Sequence, residues 1–187
     1  MCALLVEYGA DPCAHGTTAN KDTPITLAAQ MGCPDVLSSL LGTGDVKTKV
    51  LPRVANYRRP NGEAALHVAA GWGHDACVRL LISHGARVDM RNGGGGTALH
   101  HAIRSGKSTT VDMLLAGYRA DTLAVNYDDR NALDIAMAMA YVDMLCRLLE
   151  VHTTTVLLPP ATATKDKENW GRRAKATRLL LSDDRAQ

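Results

Sequence analysis

The sequence has no phenylalanine, and aromatic residues make up only 4% of it. A β-sandwich core draws on aromatic and β-branched residues in period two, so this poverty argues against one. Cysteine is sparse and unpatterned. Cys2, Cys13, Cys33, Cys77 and Cys146 are odd in number, and no two stand at Cys-x-x-Cys spacing. That excludes a disulfide framework or a zinc ribbon and reads as reduced thiols inside a cell. The seven histidines include no His-x-x-x-His pair, so the usual helical zinc ligation is missing. No stretch approaches the ~18 apolar residues of a membrane span. The opening run Met1–Val6 lacks a basic lead-in and stops at Glu7, too short for a signal peptide. Charge of one sign is also absent. The net value is +2, with 21 Lys and Arg against 19 Asp and Glu, which offers no electrostatic case for nucleic acid.

What is present is a hydrophobic content of 46%, most of it Leu, Val, Ile, Met and Ala, and it is periodic. Ala64-Ala65-Leu66-His67-Val68-Ala69-Ala70 is followed by Gly73-His74 and Val78-Arg79-Leu80-Leu81. The same landmarks return 33 residues later as Thr97-Ala98-Leu99-His100-His101-Ala102, Gly106 and Val111-Asp112-Met113-Leu114-Leu115. A shift of 34 reaches Asn131-Ala132-Leu133-Asp134-Ile135-Ala136 and Leu145–Leu149. Stepping back 41 reaches Thr23-Pro24-Ile25-Thr26-Leu27-Ala28-Ala29, Gly32 and Leu37–Leu41. Each unit carries two short apolar runs at helical spacing, near 65–71 and 75–83 in the second unit. Asp75 suits the start of the second helix, and Gly85 suits its left-handed end. Helices this short are marginal alone. They persist by burying Ala and Leu faces against neighbouring units, which is the physics of a solenoid.

These units resemble ankyrin repeats, with their Thr-Pro-Leu-His-x-Ala start, Gly-His turn and Leu-Leu second helix. Thr23-Pro24-Ile25-Thr26 follows the start apart from the His, and Thr97-Ala98-Leu99-His100 nearly completes it. Leu66-His67 and Gly73-His74 supply the second unit. The fourth departs most: Asn131 replaces Thr, Asp134 replaces His, and Ala140 stands where the turn glycine belongs. Cys2–Asp11 resembles the second helix of a preceding unit, so the chain is expected to begin in mid-repeat. The resemblance implies an all-α ankyrin-repeat solenoid of helix-turn-helix units with hairpin-like loops. About four complete units (20–60, 61–93, 94–127 and 128–152) follow a half unit (1–19). Together they make a repeat domain over 1–152 with a polar, weakly basic tail over 153–187. An N-terminal end bearing Leu4, Leu5 and Val6 without a polar cap is expected to give low stability or self-association.

The extra residues of the 41-residue step fall within Gly42–Gly62, around Lys47–Arg53, and are expected to form a surface loop. Gly93–Gly96 is expected to make a mobile tip. The tail has a helical pattern over Glu168–Leu181 and a basic cluster over Arg172–Arg178. Ser105-Gly106-Lys107-Ser108-Thr109 looks like the end of a phosphate-binding loop, but His101 stands where its first glycine is required and a helix precedes it. His67 and His100 stand where ankyrin repeats use a His to hydrogen-bond the turn. No local pattern joins a nucleophile to a base and an orienter. No catalytic residue, metal or cofactor is therefore expected.

The expected role is a protein-interaction module, a scaffold or adaptor, binding another protein and no small-molecule substrate. The alternative is a regulatory segment of a larger multidomain protein such as an enzyme, a channel or a ubiquitin-ligase receptor. Localisation is expected to be cytoplasmic, with nuclear entry the alternative. The resemblance places partner contacts on the concave face of hairpin tips and first helices. Carried over unit by unit, these are Met31, Arg59, Glu63, Trp72, Arg91, Arg104, Tyr127 and Arg130. Trp72 stands out, because Trp, Tyr and Arg dominate interface energetics.

Overall fold

The computed structural model describes residues 21–42 and 54–156, with side chains as far as Val151. The expected N-terminal half unit, the loop around Lys47–Arg53, and the tail helix with its basic cluster lie outside the described residues. Within them the chain is helical. The helices are α1 (Pro24–Met31), α2 (Pro34–Leu41), α3 (Ala65–Trp72), α4 (Asp75–Ser83), α5 (Ala98–Arg104), α6 (Ser108–Asp112), α7 (Ala132–Ala138) and α8 (Val142–Val156). They form four helix pairs, as the repeat predicts. First helices stack on first helices, α1 on α3, α3 on α5 and α5 on α7, and second helices stack alongside.

Small residues let the first helices approach. Ala28, Ala69, Ala102 and Ala136 occupy one position of the four units and are all buried. Around them Ile25, Leu66, Leu99, Leu37, Leu81, Leu114 and Leu148 fill a continuous aliphatic core. Each such side chain contributes roughly 1.5–3 kcal/mol on burial. The core runs through every described unit, which is why no single helix pair needs to be stable by itself.

Each first helix starts with the same bond made by different chemistry. The residue three places after the cap accepts the cap's own amide. Thr26 Oγ1 does so from Thr23 at 2.8 Å, His67 Nδ1 from Ala64 at 3.1 Å, His100 Nδ1 from Thr97 at 3.2 Å, and Asp134 Oδ2 from Asn131 at 3.0 Å. The two histidines do more. With Nδ1 accepting, the proton sits on Nε2, which donates to Met90 O at 2.8 Å and to Arg130 O at 3.3 Å. Each histidine thus ties its own helix start to the loop that leads into the next unit. Asp134, in the last described unit, keeps the local bond.

The turn between the two helices needs a left-handed residue in every unit. Gly32, Gly73 and Gly106 take it with φ of 66°, 80° and 67°, and Ala140 takes it with φ of 56°. The glycines are also covered by the following unit. A Cβ on Gly32 would meet the His74 ring at 2.5 Å, one on Gly73 the Lys107 chain at 2.8 Å, and one on Gly106 the Tyr141 hydroxyl at 3.1 Å. Ala140 is exposed, so only its backbone is strained. A non-glycine residue in this region costs roughly 1–2 kcal/mol. Ala140→Gly is therefore expected to stabilise the stack by about 1 kcal/mol, read as a higher urea midpoint with an unchanged slope.

The change of spacing from 33 to 34 has a local cause. After α6 the backbone loosens into a π turn over Met113–Gly117. In the second unit Ala86 N donates to Leu81 O at 3.0 Å; in the third the same bond runs from Ala120 N to Leu114 O, also 3.0 Å, with one more residue inside it. The π turn takes up the added residue on the exposed side, at Ala116 and Gly117, and leaves Val111, Leu114 and Leu115 in the core. Arg119 then adopts a φ of 50° where Gly85 has 88°.

Candidate functional site

The loops preceding each first helix close in one way. Arg59 N donates to Glu63 O, Asn92 N to Gly96 O and Asn126 N to Arg130 O, each within 3.0 Å. Consecutive tips are then joined by backbone bonds of 3.0 Å, from Gly93 N to Asn61 O and from Tyr127 N to Gly94 O. The expectation of a mobile tip at Gly93–Gly96 gives way to a packing role. Gly94 and Gly96 also donate to Asn92 Oδ1, and a Cβ on Gly93 would lie 2.4 Å from Asn61 O. Glycine stands there because the neighbouring backbone comes too close for a side chain.

Pro60 occupies the place of Gly93 and Tyr127 and has no N–H to donate to the preceding tip. A side chain spans that gap. Arg59 pairs with Asp22 of the first tip and with Glu63 of its own. This corrects one expected contact residue. Arg59 is only 8% exposed and is a strut between tips, because the proline beside it removed the backbone link. Its equivalents Asn92 and Asn126 close their tips with side-chain oxygens instead. Glu63, also expected on the face, is half-buried beside Arg59 and Asn61.

The other expected residues are open to solvent. Met31 is 72% exposed, Trp72 56% and Tyr127 74%, and Arg91, Arg104 and Arg130 are exposed too. Arg91 Nη1 donates to Val125 O at 2.9 Å, which lays its side chain along the row of tips. Tyr127 lies over Gly95, where a Cβ would touch its ring at 2.7 Å. Met31, Trp72, Ser105 and Met139 share one position of the four units, so three of the four rungs along the ends of the first helices carry large apolar side chains. Trp72 walls a surface cavity of about 470 Å³. Gln30, Ser105 and Lys107 stand at it with Trp72, and Glu63, Arg59, His67 and His101 at its polar side.

The imidazoles here are neutral. Burial, then the neighbouring His67, pushes His101 down to about 4 despite the nearby Glu63 carboxylate. Its Nε2 accepts from Asn92 Nδ2 at 2.8 Å, and its ring meets that of His67 edge-on with centroids 5.4 Å apart. Burial also lowers His67 and His100. Burial alone would raise Glu63, but the hydrogen bond from Asn61 and the charge of Arg59 bring it below the ordinary carboxylate value. Among the described residues no cluster of three or more metal-ligating side chains occurs, and no helix is long and apolar enough to cross a membrane.

Two features of the cavity escaped the reading of the sequence. His101 had no partner visible nearby in the chain. Gly71 had a signal, since it stands where Gln30 and Arg104 stand in the adjoining units, but a glycine near a helix end draws no notice.

Comparisons with known proteins agree with this architecture. Residues 49–123 match the family model described as ankyrin repeats (3 copies). The chain is 33% identical over 153 residues to the B-cell lymphoma 3 protein homolog of Mus musculus, covering 80% of this chain and 32% of that protein. It is 30% identical over 115 residues to the target of rapamycin complex 2 subunit AVO2 of Saccharomyces cerevisiae, covering 62% and 25%. It is 27% identical over 150 residues to the putative ankyrin repeat protein FPV031 of Fowlpox virus, covering 78% and 42%. The chain therefore spans less than half the length of each of these relatives. Ankyrin repeats bind other proteins. The cap at each helix start, the stitched tips and the glycine turns all recur in register, and the repeats that carry them in this chain are ankyrin repeats.

Proposed function

We propose that this stack is a protein-interaction module, acting as scaffold or adaptor, whose partner docks on the face made by the tips and the ends of the first helices. The observation that carries the reading is Trp72, 56% exposed at the wall of a cavity. A large aromatic left in water next to a recess costs solubility, and such residues are the usual anchors of interfaces. Met31 and Met139 extend the apolar row on either side, and Arg91 and Arg104 supply charge. Catalysis has no part in this reading. The setting in this reading is cytoplasmic, with the nucleus as the alternative, in keeping with free thiols at Cys33, Cys77 and Cys146. One observation favours the alternative of a regulatory segment in a larger protein: the chain matches only minor shares of its relatives, among them a cation channel, with 8% covered, and a probable ubiquitin ligase, with 22% covered.

The test is affinity capture with the full chain and with Trp72→Ala, followed by titration of each captured protein. Truncation of Trp72 is expected to weaken binding by about 2 kcal/mol, roughly thirty-fold, with the melting temperature little changed. Equal affinity of the two folded proteins would overturn the reading.

A further inference from the structure

Gly71 lies in the last turn of α3 with ordinary helical backbone. Helix interiors disfavour glycine, and at this site nothing compels it. A Cβ there would meet His101 Cβ at 3.7 Å and Ser105 Oγ at 3.9 Å, ordinary van der Waals separations. The adjoining units carry Gln30 and Arg104 at the same position. The missing side chain leaves the recess open beside Trp72, and Gly71 and Gln30 line it.

The charges around the recess are of one predominant sign. Lys107 lines it, its chain resting against Gly73, and Arg104 is exposed close enough to His101 to oppose its protonation. Arg58 and Arg91 are exposed at the second and third tips. Asp22 and Glu63 share the one guanidinium of Arg59, and Lys107, Arg104, Arg58 and Arg91 outnumber the single negative charge this leaves. The acids exposed on the described tips, Asp128 and Asp129, sit at the fourth. His101 is neutral and adds no charge of either sign.

We propose that the Gly71 recess is the specificity pocket of this face and that it takes an acidic protein segment. One apolar side chain enters over Gly71 against Trp72, and carboxylates beside it meet Lys107 and Arg104. The inference rests on the reading of this face as the docking surface and adds the chemistry of what docks. Paired charges of this kind steer encounter and set specificity more than they add affinity, so the apolar side chain carries the hold and the carboxylates choose the partner.

The probe is a displayed library of short random peptides selected against the full chain. Enriched peptides are expected to carry one aliphatic or aromatic residue flanked by Asp or Glu, and to bind more weakly as salt is raised. Gly71→Gln puts into α3 the side chain that α1 already carries there. It is expected to weaken these peptides at least about ten-fold while the melting temperature stays level or rises. Lys107→Glu with Arg104→Glu is expected to weaken them as much and to admit basic peptides. Enrichment of basic or uncharged peptides, or full binding by Gly71→Gln, would overturn the inference. If Trp72→Ala abolishes binding while Gly71→Gln and the charge reversal leave it intact, the docking face stands and the pocket falls. A selection yielding no peptide sensitive to Trp72→Ala overturns both.

Discussion

Arg59→Met is expected to lower the stability of the stack by about 3 kcal/mol. Arg59 is the buried cation between Asp22 and Glu63, at the one junction of described tips where Pro60 removes the backbone link. Methionine keeps the length and apolar stem of the side chain, so the change reads the charge and not the packing. Two carboxylates then lose their cation, Asp22 in a buried site and Glu63 half-buried at the wall of the cavity. Glu63 retains its bond from Asn61, which keeps the loss nearer the lower end of the range for broken buried pairs. Arg59 Nε is buried with no hydrogen-bond partner, so the strut is itself imperfectly satisfied. That has a consequence for the compensated variant. Arg59→Met combined with Asp22→Leu and Glu63→Gln removes every stranded charge and is expected to recover most of the loss, since apolar replacements of buried ion pairs are often neutral. Urea denaturation of the three proteins checks this. A single mutant as stable as the wild type would show that the first two units are held by the core alone.

Acid is expected to weaken the fold between about pH 6.5 and pH 4, before the carboxylates titrate fully. His67, His100 and His101 are neutral in the folded state with lowered affinity for protons. In the unfolded chain each titrates near 6.5. Below that value the unfolded state binds more protons than the folded one, so stability is full above about pH 6.5 and falls as pH falls. For His101 the loss continues to about 4 and amounts to roughly 3 kcal/mol at 1.36 kcal/mol per pH unit. The hydrogen bonds give the same sign. His67 Nδ1 and His100 Nδ1 accept backbone amides, and a proton placed there would face an N–H and break the helix start. Glu63 adds a second, more acidic phase. Its folded value is lowered, so its contribution is present above its unfolded value and is lost below it. His101→Gln keeps an acceptor for Asn92 and is expected to flatten the profile above pH 4.5 or so. Unfolding free energies flat across this window, or an unchanged slope in His101→Gln, would contradict the assignment.

Much of the fold was legible in the chain itself, for a physical reason. Helix caps, turn glycines and the aliphatic stripe are set by contacts among residues a few places apart, and a repeat displays each of them several times. Leu66 and Leu99, or Gly73 and Gly106, identify each other by register, and the observed α3 and α4 lie within a residue of the expected runs. Departures from the pattern were legible as departures but not in their meaning. Asn131 and Asp134 look like erosion, yet they rebuild the capping bond with other atoms. The exposed residues of the face followed from register as well, with Met31, Trp72 and Tyr127 open to water as their positions implied.

What the sequence by itself determined is therefore the repeat, its spacing of 41, 33 and 34 residues, the helix ends and the aliphatic core. What only the tertiary structure decided lies between units. Arg59 reads as a surface cation until Asp22, 37 residues away, is placed beside it. The Gly93–Gly96 run reads as slack until the Asn61 carbonyl is found against it. The added residue of the third unit shows as a number, but only the backbone reveals that a π turn absorbs it on the exposed side. The recess over Gly71 stays open because this position lacks a side chain where its equivalents in the adjoining units are long. The π turn apart, each depends on distances between chain segments some thirty to forty residues apart, and local propensity holds no record of those distances.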